Sequence, residues 1–158
     1  MDQIDKHILR LMQRDARSSI SEIGKQVRLS LPAVKDRIRK LEKNGVIQGY
    51  SAILDGEKLG KNICCYCLLV LRNKSPENDD RFLQFIEKER DIQECHCISG
   101  EYEFLLKIIT ESPRTLEALL SRMRAAIPVL RTNSFLVLSS AKGHHLYIPN
   151  SPVPPFPE

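Results

Sequence analysis

The sequence contains no apolar run approaching the roughly 20 residues that a membrane-spanning helix needs. Its opening stretch, MDQIDKHILR, carries acidic residues where a secretion signal would be uninterruptedly apolar. A cytoplasmic location with no membrane partner is therefore expected. A glycine-rich phosphate loop is also missing, no nucleophile and base recur in a motif, and the pair His144-His145 lies close to the end of the chain. Neither catalysis nor a cofactor is expected on this inventory. Five cysteines are present, at positions 64, 65, 67, 95 and 97, but neither Cys64-Cys65-Tyr66-Cys67 nor Cys95-His96-Cys97 has the two-residue gap of a zinc knuckle. Both runs fall in strand-like sequence, where neighbours point to opposite faces. No metal site is expected, and the cysteines read as small, buried core residues. A reducing compartment argues against disulfides. The competing reading is a redox or metal sensor built on these thiols, which metal analysis and native thiol counting would separate.

What the chain does have is 158 residues, 42% of them hydrophobic, enough to bury a core in one ordinary domain or two small ones. Its formal charge of +4 is unevenly placed: residues 1–50 hold 11 Lys and Arg against 6 Asp and Glu, and the remainder holds 13 against 14. A basic module joined to a near-neutral one suits a polyanion-binding head on a body with another job. The plainer alternative is a solvated basic face with no partner.

Within the basic third, Ile4, Ile8, Leu11 and Met12 recur at helical spacing, and Asp2 and Asp5 are placed to cap the first turn. Ser19 followed by Glu22 has the spacing of a capping box, opening a second, short helix with Ile20, Ile23 and Val27 turned inward. Gly24 sits inside that helix at a cost of up to about 1 kcal/mol relative to Ala; a close approach of two helices would explain it. After the turn Arg28-Leu29-Ser30, a third helix starts with Ser30 as N-cap and Pro32 in its first turn. It buries Val34, Ile38 and Leu41 and stops at Asn44-Gly45. Helices joined by turns this short pack as a crossed trihelical unit, a helix-turn-helix, expected here to be of winged type. Val46 to Leu54 reads as a strand and Asp55 to Gly60 as a hinge.

Beyond the hinge the pattern reads strand (62–71), helix (76–89), strand (92–99), strand (102–110), helix (113–126) and strand (129–139). That order is βαββαβ, the ferredoxin-like arrangement, and the fold class is α+β. Both helices would cover one face of the sheet. The opposite face is apolar too, because Cys64, Tyr66, Leu68 and Val70 alternate with Cys65, Cys67, Leu69 and Leu71. An uncovered apolar face buries itself against a second copy, so an obligate homodimer is expected. The expected divisions are a head at 1–50, a strand and hinge linker at 51–61, the βαββαβ domain at 62–142 and a proline-rich tail at 143–158. The tail ends in PNSPVPPFPE, which can join neither a helix nor a sheet ladder.

Turning the third helix from its buried stripe puts Pro32, Lys35, Asp36, Arg39, Lys40 and Lys43 on the outer side. In a helix-turn-helix the N-terminal part of this helix enters the major groove, so Ser30, Leu31, Pro32, Ala33, Lys35 and Asp36 are candidates for base edges. Arg39, Lys40 and Lys43 lie further along and are placed for phosphates. Ser19, opening the second helix, is a candidate to offer its N–H to a phosphate, with Arg17 nearby. Double-stranded DNA is the expected partner, against the plainer reading of a solvated basic helix.

The string Asp2-x-Ile4-Asp5-x-x-Ile8-Leu9, then Asp15-Ala16-Arg17, then Leu29-Ser30 followed by Val34-x-x-Arg37-Ile38-x-x-Leu41-Glu42-x-x-Gly45-Val46-Ile47, resembles the Lrp/AsnC family of leucine-responsive, feast/famine transcription regulators. Past the hinge, Ile92-Gln93-Glu94-Cys95, the run Ser99-Gly100-Glu101-Tyr102-Glu103-Phe104-Leu105-Leu106-Lys107, and Arg131-Thr132 are similar to that family's ACT-like (RAM) ligand-sensing domain. The resemblance leaves only the proline-rich end unmatched. It implies control of amino-acid metabolism or transport, and dimers through the βαββαβ domain that assemble further into octamers. It also implies an amino-acid effector held between dimers by Ser99, Gly100, Glu101, Tyr102 and Glu103 with Thr132 and Ser134. Where the family usually has Asp, this chain has Glu103, which leaves open an altered pocket or a regulator with no small-molecule effector. Gly100, between two strands, also fits a plain hairpin turn.

Overall fold

The computed structural model describes residues 1–73 and 75–140, so the expected proline-rich tail at 143–158 lies outside the described residues. Two compact units divide between Ala52 and Ile53.

The first unit contains α1 (Gln3–Arg14), α2 (Ile20–Val27) and α3 (Leu31–Lys43). The first two begin where the sequence supplies a partner for orphan N–H groups. The Asp5 N–H donates to Asp2 Oδ1 at 2.8 Å and the Asp2 N–H to Asp5 Oδ2 at 2.9 Å, and Ser19 and Glu22 form the same reciprocal box at α2. At the end of α3, Gly45 turns left-handed (φ +68°); the Val46 N–H donates to the Leu41 carbonyl and the Gly45 N–H to the Glu42 carbonyl, both at 2.9 Å. This is the Schellman ending that Asn44-Gly45 predicts. Ile8, Ile23 and Val34 form the core, with Ile4, Leu11, Met12, Val27, Leu29 and Ile38 packed against it.

The cost of Gly24 has a specific cause. A Cβ there would stand 2.9 Å from the Leu29 carbonyl oxygen and 3.7 Å from Val34 Cγ2. The obstacle is the backbone of the turn more than the neighbouring helix, and any side chain would push the turn off α2.

The expected strand at 46–54 does not form; the segment is irregular. No other strand lies in this unit to complete a ladder, and an unpaired strand leaves its backbone groups without partners. The segment is fastened by the bonds after α3 and by Tyr50, whose hydroxyl donates to Glu42 Oε1 at 2.8 Å. Burial, then the Glu42 carboxylate, pushes the Tyr50 phenol up to about 12. The expected hinge holds a single 3₁₀ turn, Glu57–Leu59.

The second unit follows the expected order: β1 (Ile63–Leu71), α4 (Pro76–Lys88), β2 (Ile92–Cys97), β3 (Phe104–Thr110), α5 (Pro113–Ala126) and β4 (Val129–Leu136). The strands lie in the order β2-β3-β1-β4 and every pairing is antiparallel. Alternation along β1 sorts the two faces. Cys65, Cys67, Leu69 and Leu71 are buried in one cluster with Phe82 of α4, Leu119 and Met123 of α5, and Leu106 and Ile108 of β3. Cys64, Tyr66, Leu68 and Val70 point the other way and are half-buried. On that open face Tyr66 lies between Lys107 of β3 and Phe135 of β4 in register, and Phe135 remains 50% exposed.

The cysteines divide. Cys65 and Cys67 are buried and Cys64 and Cys95 half-buried, but Cys97 is exposed, which corrects the expectation of five core thiols. Cys97 is the last residue of an edge strand. Burial pushes the thiols of Cys64, Cys65, Cys67 and Cys95 up, away from the reactive thiolate. Among the described residues no group of three His, Cys, Asp or Glu is arranged to hold a metal, and no helix is long and apolar enough to cross a membrane.

Candidate nucleic-acid interface and sensing loop

The two sides of α3 differ in what they touch. Val34 and Leu41 are buried and Ile38 is half-buried, whereas Ser30, Leu31, Pro32, Lys35, Asp36, Arg39, Lys40 and Lys43 are exposed and Ala33 is intermediate. Ser30 occupies the N-cap position with extended backbone, yet its hydroxyl makes no capping bond. Leu31 is 52% exposed at the tip, an apolar group at the end that meets base edges in helices of this kind.

Arg37, on the flank of α3, is spent inside the unit. Its Nη1 donates to Asp5 Oδ1 at 2.6 Å and to Asp2 Oδ2 at 2.7 Å, tying α3 to the capping box of α1. The Asp5 N–H, followed by Arg37, holds the Asp2 carboxyl below the usual carboxylate range. Asp36 pairs with Lys40 one turn on, Oδ2 to Nζ 2.8 Å, and that hydrogen bond lowers the Asp36 pKa. Lys35 and Arg39 line a recess of about 240 Å³ with Ile20 at the start of α2, beside Ile38 and Glu42.

Arg17 and Ser19 are both exposed, but the Ser19 N–H proposed for a phosphate is already donated to Glu22 Oε2 at 2.7 Å. That detail is corrected, because the capping box that starts α2 uses the same group. Ser19 draws the Glu22 carboxyl down through this bond.

In the second unit, the run 98–103 bridges β2 to β3 and reaches across to the end of β1. The Ile98 N–H donates to the Glu103 carbonyl at 2.9 Å and the Glu103 N–H to the Leu69 carbonyl at 3.0 Å. The Glu103 side chain turns back on the same strand, where its Oε2 accepts the Leu71 N–H at 3.0 Å. Gly100 has φ +122°, and a Cβ there would meet nothing within 4 Å. The requirement for glycine is therefore one of backbone conformation. Ser99, Gly100 and Glu101 are exposed, and Tyr102 and Glu103 half-buried.

The loop meets β4 at Arg131, whose guanidinium lies 4.5 Å from the centre of the Tyr102 ring and donates to the Glu101 carbonyl at 3.2 Å. Thr132 and Ser134 pair in register with Leu69 and Cys67, on the side of the sheet that carries the helices. Burial raises the Cys65 and Cys67 thiols, and the neighbouring Ser134 side chain partly offsets that rise. Within one chain, then, the candidate effector residues form two groups: the loop with Arg131, and Thr132 with Ser134. Arg37, Arg131 and the Leu71 amide were not among the sequence candidates. The motif includes Arg37 and Arg131, but their partners lie about thirty residues away in the chain, and spacing does not reveal those.

Residues 1–48 match a family model described as winged helix-turn-helix DNA-binding, and residues 64–147 one described as Lrp/AsnC ligand binding domain. The leucine-responsive regulatory protein of Escherichia coli K12 is 33% identical over 143 residues, covering 90% of this chain and 87% of that protein. An AsnC family transcriptional regulator from Agrobacterium tumefaciens aligns with a TM-score of 0.86 at 27% identity, covering 91% of this chain and 94% of that one. A feast or famine regulatory protein from M. tuberculosis, solved in complex with L-methionine, aligns with a TM-score of 0.81 at 32% identity over 94% and 99% of the two chains.

Proposed function

The chain belongs to the Lrp/AsnC family of DNA-binding transcription regulators, and on that premise we propose that it is a cytoplasmic, sequence-specific regulator whose α3 enters the major groove. In this reading the second unit pairs with another copy and responds to an amino acid, placing control over amino-acid metabolism or transport. The family is one of regulators and not of enzymes.

One observation carries the DNA reading. The aliphatic side of α3 is packed in its unit while Lys35, Arg39, Lys40 and Lys43 remain on the surface, and Arg37 alone of that run of α3 cations is drawn into ties with α1. Exposed cations along such a helix suit phosphates, and its N-terminal half suits base edges. Gel-shift titrations on several duplexes test the division. Arg39→Ala should weaken binding to all of them alike, whereas changes at Pro32 or Lys35 should alter the preference among them; equal effects on every duplex from both classes would refute it.

The half-buried face of Tyr66, Leu68 and Val70, with Phe135 beside it, supports a homodimer through the sheet. Leu68→Lys should shift the sedimenting species toward monomer, and the same runs would reveal octamers; an unchanged mass would contradict this interface. The relative solved with L-methionine supports an amino-acid effector, and this reading sets it against the 98–103 loop. A thermal-shift screen of the twenty amino acids tests it, because a ligand that binds the folded state raises Tm. The tie of Glu103 to Leu71 favours a second reading, an altered or absent effector pocket, and a screen without a single positive shift would select it.

A further inference from the structure

We infer that Asp36 and Lys40 act as one unit that reads a C·G base pair in the major groove. The inference rests on the placement of α3 proposed above, but moves Lys40 from a phosphate to a base edge and adds the base pair that the outer face selects.

The two side chains lie one helical turn apart, 2.8 Å between Oδ2 and Nζ, and are 56% and 70% exposed. Both project from the face of α3 opposite Val34 and Leu41. The Lys40 hydrogen bond keeps the Asp36 carboxyl ionised at neutral pH, so Asp36 can only accept hydrogen bonds. A carboxylate on a helix laid against a polyanion weakens binding to every sequence alike. An exposed pair of this spacing adds little to the helix itself. Two of the neighbouring charged groups are occupied elsewhere, Arg37 with Asp2 and Asp5 and Glu42 with Tyr50, while Lys35, Arg39 and Lys43 stay exposed.

A base edge gives the carboxylate a use only where it donates. In the major groove the donors are the N4 amino group of cytosine and the N6 amino group of adenine. The adenine donor stands between two acceptors, its own N7 and the O4 of thymine, and both repel a carboxylate. The cytosine donor has an acceptor on one side only, and beyond it guanine offers O6 and N7 together. Asp36 and Lys40 present an acceptor and a donor in that same order. The second carboxylate oxygen can take the cytosine N4–H, and Lys40, with two N–H groups left after its bond to Asp36, can donate to guanine O6 and N7.

The test is an enrichment of random duplexes on the full chain at one fixed salt concentration, comparing the wild type with Asp36→Asn, Asp36→Ala and Lys40→Ala. The wild-type pool should hold a C·G pair favoured about tenfold at one position of each half-site. Asp36→Ala should cut that preference below about twofold while tightening binding to the other sequences. Asp36→Asn, close in shape, should move the preference toward A·T, because an amide pairs with adenine N6 and N7. Lys40→Ala should lower both the preference and the affinity. Identical base preferences in the wild type and both Asp36 variants, with affinity rising alike on all sequences, would overturn the inference and leave the DNA reading standing. A wild-type pool with no enriched sequence would remove the DNA reading itself, and this inference with it.

Discussion

The core cluster of the head holds three buried side chains, Ile8, Ile23 and Val34, whereas the sheet unit gathers twelve into one cluster from β1, β2, β3, both helices and the end of α5. The head compensates at its ends: two reciprocal capping boxes, a Schellman ending and the Arg37 ties hold what little apolar burial leaves loose. The sheet unit uses its polar groups differently, pairing them where the sheet would otherwise strand them. Lys107, 8% exposed, meets Glu94 at 2.6 Å. The buried Thr110 hydroxyl donates to Asp91 Oδ2 at 2.7 Å, and Lys61 meets Oδ1 of the same carboxylate at 2.8 Å. A small core leaves most of α3 at the surface, which is what a DNA-reading helix requires; a large core builds a platform whose open face and loop remain for other partners.

Matched core truncations should give the largest effects and break the comparison if it is wrong. Ile8→Ala should cost about 2–5 kcal/mol and Phe82→Ala about 3–5 kcal/mol. A core as small as that of the head supplies only about 3–5 kcal/mol in total. Urea denaturation followed by circular dichroism should therefore show Ile8→Ala unfolding the head and abolishing DNA binding, while Phe82→Ala lowers a second, later transition. One transition moved equally by both would contradict the division. Next in size, Gly24→Ala should destabilise the head by about 1–3 kcal/mol from the clash with the Leu29 carbonyl, offset by up to about 1 kcal/mol of helix propensity. A gain in its melting temperature would show that the turn yields.

A smaller effect should follow pH. The Asp2 and Glu22 carboxyls are held below their ordinary values of 3.8 and 4.5 by their capping bonds. A group lowered on folding stabilises above its unfolded pKa and loses that contribution as pH falls through the folded one. The head should weaken as pH drops below about 4, and Asp2→Asn with Glu22→Gln should flatten that dependence. The raised Tyr50 phenol works at the other end: its contribution is present below its ordinary value of 10.0 and lost as pH rises toward about 12. Tyr50→Phe should remove that alkaline loss. Smallest of all, Lys107→Met should change the stability of the sheet unit by no more than about 1 kcal/mol, because Glu94 is 41% exposed and keeps its water. A larger loss would mean that this pair is needed to hold β2 against β3.

The legible features were those written locally. Asp2-x-x-Asp5, Ser19-x-x-Glu22 and Asn44-Gly45 state their caps within a few residues, and Cys64 to Leu71 states its two faces by alternation. The strand expected at 46–54 failed because apolar residues there satisfy the strand pattern while a strand also needs a neighbour, and no local signal reports one. The exposure of Cys97 depended on β2 being an edge strand, a fact of sheet order. The register shift between Ile92 and Glu94 and the reach of Glu103 to the Leu71 amide belong to the same class. In the candidate sites, the outer face of α3 followed from helical periodicity, whereas the commitment of Arg37 and the stacking of Arg131 on Tyr102 required the fold.

The placement of α3 on DNA is tested most directly by the salt dependence of binding to one fixed duplex, wild type against Arg39→Ala. Between about 50 and 200 mM salt the wild type should lose orders of magnitude in affinity, and removing the Arg39 guanidinium should make the slope of log affinity against log salt shallower by about 0.9. An affinity indifferent to salt, or the same slope with and without Arg39, would contradict it.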